Sequence, residues 1–212
     1  VLALGATTVS LADELEEVVV TADFRASELM TNASSVSILG ELQMQERGAQ
    51  HLEDVLSAAP NVSWSTGASR SRFVQIRGIG DLDQYAEPKY YPSVGVMVDD
   101  LELGSAANAG MLFDVAQVEI LRGPQGTRFG ASAHAGIVKI NSNAPTKEFE
   151  AMLRGGVGNY GAYNYGAVLS GPLGESIAGR IALQQNRGDG YVENEYKGSN
   201  DSNKFDEVTG RG

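Results

Sequence analysis

The stretch QVEILRGPQGTRFGASAHAGIVKI, Gln117 to Ile140, decides the reading of this chain. Two apolar, β-branched runs flank a glycine-rich middle, and Arg122 stands at the first junction. Such a segment can be a phosphate cradle, a nucleophile turn or a structural strand–loop–strand. A phosphate loop needs a lysine and a Ser/Thr at a helix start, so that ammonium and backbone N–H groups meet the anion. GPQGTRFG has no lysine and leads into a strand; RGIGDLD, residues 77–83, is no dinucleotide fingerprint either. Ser132 and His134 in GASAHAG stand two apart, and His134 breaks the Gly-x-Ser-x-Gly spacing of a nucleophile elbow. The structural reading is left, with Ser132 and His134 as loop residues.

Working outward, RFVQIRGIG, SVGVMVDDLEL and VAQVEILRG each alternate apolar residues and end at a turn signal. GIVKINSN is a fourth strand, and SSVSIL, Ser34 to Leu39, reads as another. GELQMQERG is a short helix stopped at Gly48. In AQHLEDVLSAAP, Leu52, Val55, Leu56 and Ala59 line one helical face and Pro60 ends it. Together these predict a compact α+β unit.

After Pro145 the pattern changes. KEFEAMLRGGVGNYG sets Phe149, Ala151, Leu153, Gly155 and Val157 against Glu148, Glu150, Met152 and Arg154. AYNYGAVLSGPL sets Tyr163, Tyr165, Ala167 and Leu169 against Asn164, Gly166 and Ser170. SIAGRIALQQN sets Ile177, Gly179, Ile181 and Leu183 against Arg180, Gln184 and Asn186. Successive strands of about 10 residues, apolar outward and polar inward, joined by a short turn (GPLGE) and a long polar loop, are how outer-membrane barrels are built. A soluble meander with one wet face gives the same alternation. In the barrel reading Tyr160, Tyr163 and Tyr191 edge the apolar band on one side and Phe149 on the other.

The bulk numbers narrow the function. The chain has 212 residues, a formal charge of −11 and a sequence pI near 4.6, which argues against nucleic acid as a partner. It has no cysteine, which removes disulfides, thiolate zinc sites and a cysteine nucleophile. Two histidines make no metal site, and Asp81 to Asp83 lack the glycine and terminal glutamate of a calcium loop. No cofactor is expected. No apolar run reaches the ~20 residues of a spanning helix, so a membrane role would use strands. The opening VLALGATTVSLADE reads as the back half of a signal peptide, residues 1–12, or as a short frayed strand.

In order, these segments resemble the plug of TonB-dependent outer-membrane receptors. VEILRGPQGTRFGASAHAGIVKI is similar to the plug's final signature, LEDVLSAAPNVS to its helix and PxV segment, and VQIRGIG to its Ile-Arg-Gly strand. VGVMVDDLEL resembles a strand with a Val-Asp-Gly turn, here with Asp100 in place of glycine. EEVVVTA resembles the TonB box, and SGPL the turn after the second barrel strand. The resemblance implies residues 13–32 as TonB box and linker, 33–145 as an α+β plug with a mixed four-stranded sheet and short helices, and 146–212 as the first antiparallel strands of a transmembrane β-barrel. Because the family's barrels have around twenty-two strands, the chain is expected to be a piece of a longer receptor.

The resemblance further implies a receptor of the bacterial outer membrane, in contact with its lipid, that binds a scarce small molecule, an iron-siderophore-type complex, and imports it; it implies no enzyme. Glu17, Val18, Val19, Val20, Thr21 and Ala22 would bind a TonB-type energy-transducing protein by strand addition, through a flexible linker from Asp23 to Asn32. Arg77 with Gly78, and Arg122 with Gly123, would fasten plug to wall against carboxylates of later strands. Arg70, Arg72, Gln84, Tyr85, Tyr90, Tyr91 and Asn108 would form the ligand platform on apical loops. The rival readings are a soluble plug-like binding or signalling module with a β-meander tail, and a cell-surface enzyme.

Overall fold

The computed structural model describes residues 19–20, 27–28, 34–65, 73–80, 92–103, 112–192, 196, 198 and 203–212. Its first unit is built on β3 (Ser35–Gly40), β6 (Val94–Val98), β7 (Leu101–Glu102), β8 (Val115–Arg122) and β9 (Gly136–Ser142). They lie in the order β3-β8-β9-β6-β7, with β9 and β6 parallel and every other pair antiparallel. The mixed sheet has five strands where four were expected: SSVSIL, SVGVMV, VAQVEILR and GIVKINS lie in it, and β7 adds a two-residue edge. The expected strand RFVQI is β5 (Phe73–Ile76), but it lies outside that sheet, paired with β4 (Val62–Ser65) in a separate hairpin.

Helices α1 (Glu41–Glu46) and α2 (Leu52–Leu56) close one face of the sheet. The predicted face of α2 is the buried one: Leu52, Val55 and Leu56 are fully buried and Ala59 nearly so. They pack with Val94, Val96, Val118, Ile120, Val138 and Ile140, the same-side residues of three strands, and with Val74 and Ile76 from β5. Apolar area removed from water on this face stabilises the unit at about 25 cal/mol per Å².

The opposite face is buried too, but half of it is polar. Glu119 is fully buried opposite Lys139, accepts from the amides of Gln117 and Asn141 at 2.7 Å each, and Lys139 reaches Asp100 at 3.3 Å. Beside them Leu121 packs with Val20, itself fully buried. Val20 belongs to β1 (Val19–Val20), paired with β2 (Ser27–Glu28). The expected linker therefore carries a two-residue strand that folds back on the valines, because pairing with β2 and burial on Leu121 satisfy backbone and side chain that would otherwise face water. Between β8 and β9 lie α3 (Gly126–Phe129) and a 3₁₀ turn, Gly130–Ser132.

The second unit is an antiparallel meander in chain order: β10 (Glu150–Val157), β11 (Tyr163–Pro172), β12 (Ala178–Gly188) and β13 (Phe205–Arg211). Register sets Leu153 opposite Ala167, Ala167 opposite Leu183 and Leu169 opposite Ile181, so one face is continuously apolar. That face is open: Leu153, Leu169, Ile181, Leu183 and Val208 are all more than half exposed. Towards the loop end it turns polar, where Tyr165 bonds Gln185 and Gln185 donates to Asp206 at 2.8 Å. Tyr160 and Tyr191 meet at 5.7 Å at this end, and Phe149 lies exposed at the other. The other face, with Arg154, Asn164, Ser170, Arg180, Gln184, Asn186 and Glu207, turns to the α+β unit.

Candidate functional site

The two units meet at the turn from Leu112 to Val115 and at the adjoining loop of Gln50 and His51. Asp114 takes a left-handed φ of 58°, a conformation Asp tolerates better than most residues. The turn directs its carboxylate at β12. There Arg180 donates through Nε at 2.8 Å and a terminal nitrogen at 2.6 Å, a two-pronged pairing with both side chains nearly buried. The Asn143 amide adds a bond to Asp114 at 3.1 Å, and Glu150 lies 3.5 Å from the guanidinium. From β13, Arg211 donates to the carbonyls of Phe113 and Asp114 at 3.0 and 3.1 Å. Removing one partner of a buried pair strands the other charge, at a cost of about 3–5 kcal/mol.

Phe113 itself enters the meander. It packs with Val168, Ala182 and Met152, and its ring lies over Gly166 so closely that an added Cβ would sit 2.6 Å from the ring tip. The backbone of Leu112 donates to the Gln50 carbonyl, which ties the corner to the loop between α1 and α2. That loop also reaches the meander: Asn186 donates to Gln50 at 2.6 Å, and the His51 ring nitrogen lies 2.8 Å from Glu207. Beside these contacts a polar cavity of about 340 Å³ separates α1 from the strands, lined by Glu41, Gln45, Arg154, Asn164 and Gln184. A larger one of about 890 Å³ opens beside Asp114, Asn143 and Arg180 and runs out to the exposed Phe149, Leu173 and Ile181.

The two arginines singled out in the sequence lie elsewhere, and together. Arg122 ends β8, and its guanidinium donates to the Pro60 carbonyl at 3.0 Å. Arg77 follows β5 with a φ of 56°, and its backbone N–H donates to the neighbouring Asn61 carbonyl at 2.8 Å. Both therefore converge on the Pro60–Asn61 turn. The Nε of Arg122 is buried without a partner, and Arg77 is exposed. Neither bonds a carboxylate of β10 to β13 among the described residues. Gly78 and Gly123 have φ of 78° and 118°, with nothing within 4 Å of where a Cβ would stand. Their requirement here is conformational, since both take a φ that L side chains rarely adopt.

Of the expected energy-coupling segment only Val19 and Val20 are described; Glu17, Val18, Thr21 and Ala22 are not. Arg70, Arg72, Gln84, Tyr85, Tyr90, Tyr91 and Asn108 also lie outside the described residues. Ser132 is buried and His134 exposed, as loop residues. No cluster of His, Cys, Asp or Glu among the described residues could hold a metal ion. No described helix is long and apolar enough to cross a membrane, which says nothing of strands. Sequence reasoning missed Asp114. The available signal was Arg180, an arginine on the inward face of an amphipathic strand, which demands a carboxylate from whatever fills the interior.

A mixed sheet backed by two short helices and seated against the polar face of an outward-apolar meander defines a plug with the opening strands of its barrel. Residues 28–137 match the model of the TonB-dependent Receptor Plug Domain, and the chain belongs to that family. Over 194 residues it is 27% identical to the pesticin receptor of Yersinia pestis, an alignment covering 91% of this chain and 28% of the relative. It is likewise 27% identical over 175 residues to the vitamin B12 transporter BtuB of Photobacterium profundum, covering 82% and 28%. Among solved structures, the ferric yersiniabactin uptake receptor FyuA from Yersinia pestis superposes with a TM-score of 0.72 at 27% identity, covering 84% of this chain and 28% of that one. The chain thus spans little more than a quarter of the length of these relatives, which are by name a receptor, a transporter and an uptake receptor.

Proposed function

We propose that this chain forms the plug and first wall strands of an outer-membrane receptor that captures a scarce iron-siderophore-type complex and imports it when the plug is pulled. The observation that carries the reading is the two-faced meander. Its outward side is apolar in the middle and aromatic at the rims, as a bilayer requires, while its inward side binds a folded stopper through buried polar contacts. A soluble module would leave that apolar face in water, and apolar patches beyond a few hundred Å² are rare on soluble monomers. The iron-chelate assignment is supported by the likeness to a ferric yersiniabactin uptake receptor; the likeness to a vitamin B12 transporter favours cobalamin as the second reading.

In this reading residues 1–12 are the remainder of an export signal, 13–32 carry the coupling segment and linker, 33–145 are the plug and 146–212 begin the barrel. Glu17 to Ala22 bind a TonB-type protein by adding a strand, and the seating of Val20 on Leu121 holds the segment until it is engaged. Arg77 and Arg122 fasten the far side of the plug to carboxylates on later strands. The unpartnered Nε of Arg122 supports this, since a buried donor without an acceptor is costly and calls for one. Arg70, Arg72, Gln84, Tyr85, Tyr90, Tyr91 and Asn108 contact the substrate from above.

The test is uptake by the full-length receptor in a host stripped of its own siderophore and cobalamin receptors. Radiolabelled ferric yersiniabactin, ferrioxamine B and cyanocobalamin are offered in turn. Accumulation of an iron complex that stops when the inner membrane is de-energised is the expected result. Accumulation of cobalamin alone moves the assignment to the second reading, and accumulation of none overturns both.

A further inference from the structure

The register of the meander sets the side chains of its inward face in rows, and one row is out of character. Glu150, Ser170 and Arg180 lie level with one another across β10, β11 and β12. Two positions further along, the row is Met152, Val168 and Ala182. Next, Arg154 and Gln184 flank Gly166, and after that Asn164 stands beside Asn186. A single apolar row therefore crosses the strands with polar rows on either side. Barrel interiors are polar, so an apolar inward row has to meet an apolar partner. Phe113 of the plug is that partner. Its ring packs on Met152, Val168 and Ala182 and lies over Gly166, where a Cβ would not fit. Val168 is 1% exposed, Ala182 3% and Phe113 6%, so the contact excludes water. The plug–wall contacts around it, at Arg180, Asn186 and Glu207, are polar. Open space lies on both sides. The cavity of about 340 Å³ runs along Arg154, Asn164 and Gln184 and reaches Phe113. The one of about 890 Å³ lies beside Asn143 and Arg180 and reaches Ala182.

From this we infer that Phe113, seated on Met152, Val168 and Ala182, is a water-excluding seal in the seam between plug and wall, and that it stops ions and small polyols from leaking along β10–β12. The polar rows offer such solutes hydrogen bonds. The apolar row offers none, so a solute crossing it must shed water that no side chain there replaces. Hydrophobic constrictions close channels by the same physics. Gly166 serves the seal by letting the ring come this close to the strand. The membrane setting rests on the proposed receptor function; the seal needs no strand beyond those that hold these residues.

Passive flux through the full-length receptor tests this, with no energy-transducing partner present. Potassium chloride conductance is read in planar bilayers, and arabinose entry in swelling liposomes. The wild type should pass little of either. Phe113→Ala empties the seal and should raise both fluxes several-fold. Val168→Thr keeps the shape of the row but sets a hydroxyl under the ring, and should raise them too. Phe113→Leu retains an apolar filler and should leak far less than Phe113→Ala. Gln184→Ala, one row away, should match the wild type. Protease resistance of the plug shows whether each variant keeps it seated; should Phe113→Ala fail that check, the nearly isosteric Val168→Thr decides. Seated variants of Phe113 and Val168 that leak no more than the wild type overturn the seal and leave the receptor function standing, and so does a Gln184→Ala leak as large as that of Phe113→Ala. A full-length protein that does not enter bilayers overturns the receptor function itself.

Discussion

Asp114 shows how one side chain can join two units. Its left-handed backbone aims the carboxylate, Arg180 meets it with two nitrogens, and burial keeps water from competing. Asp114→Ala loses the pairing and puts a Cβ-bearing residue without a polar side chain into a strained φ; it should destabilise plug seating by about 3–5 kcal/mol, read as earlier protease cleavage of the plug in an intact barrel. Gly166→Ala should cost about 1–3 kcal/mol by overpacking Phe113, and the same assay should find most of that loss recovered by adding Phe113→Leu. Arg180 could be placed on the inward face from alternation alone, but its partner lies 66 residues earlier and no local spacing encodes that. For Arg77 and Arg122 the sequence motif located the residues; their convergence on one turn comes from the β4–β5 hairpin, which brings Asn61 and Arg77 together.

At the scale of elements, periodicity was the readable part. The apolar faces of α2, β8, β9 and the three strands of the meander nearest β9 in sequence are where alternation or the helical repeat put them. Leu56→Ala, in the middle of the α2 contact, should lower unfolding stability by about 2–5 kcal/mol in chemical denaturation of the receptor. On the outward face, Leu169→Arg should cost about 2–4 kcal/mol if the residue sits at mid-bilayer depth, whereas the same change at the loop-end Gln185 should cost little; folding titrations into lipid vesicles separate the two. What was not legible follows from what periodicity omits. VSWS, in β4, alternates Val62 and Trp64 with two serines but is only four residues long, too short a run to stand out, so the strand became visible only through its partner β5. Strand order within the mixed sheet depends on the crossover that makes β6 and β9 parallel neighbours, which no short window reports. The second face of the sheet reads as exposed because Glu119 and Lys139 are charged, yet both are buried beside the docked Val20.

At the scale of the molecule, the described residues form a plug seated on the opening strands around Asp114, with β3 at the edge of its sheet and two arginines at the far end. Replacing both Arg77 and Arg122 by Ala should loosen that far end and raise the passive conductance of the full-length receptor in planar bilayers, while unchanged conductance would remove their fastening role. The central claim is that the segment around Val20 transmits work into the plug and takes no part in binding. The measurement that meets it most directly is deletion of Glu17 to Ala22 in the full-length receptor, with surface binding and energised accumulation of the imported complex followed in the same cells. The account predicts that binding persists and accumulation falls to the level of de-energised cells. Accumulation at the wild-type rate would contradict it.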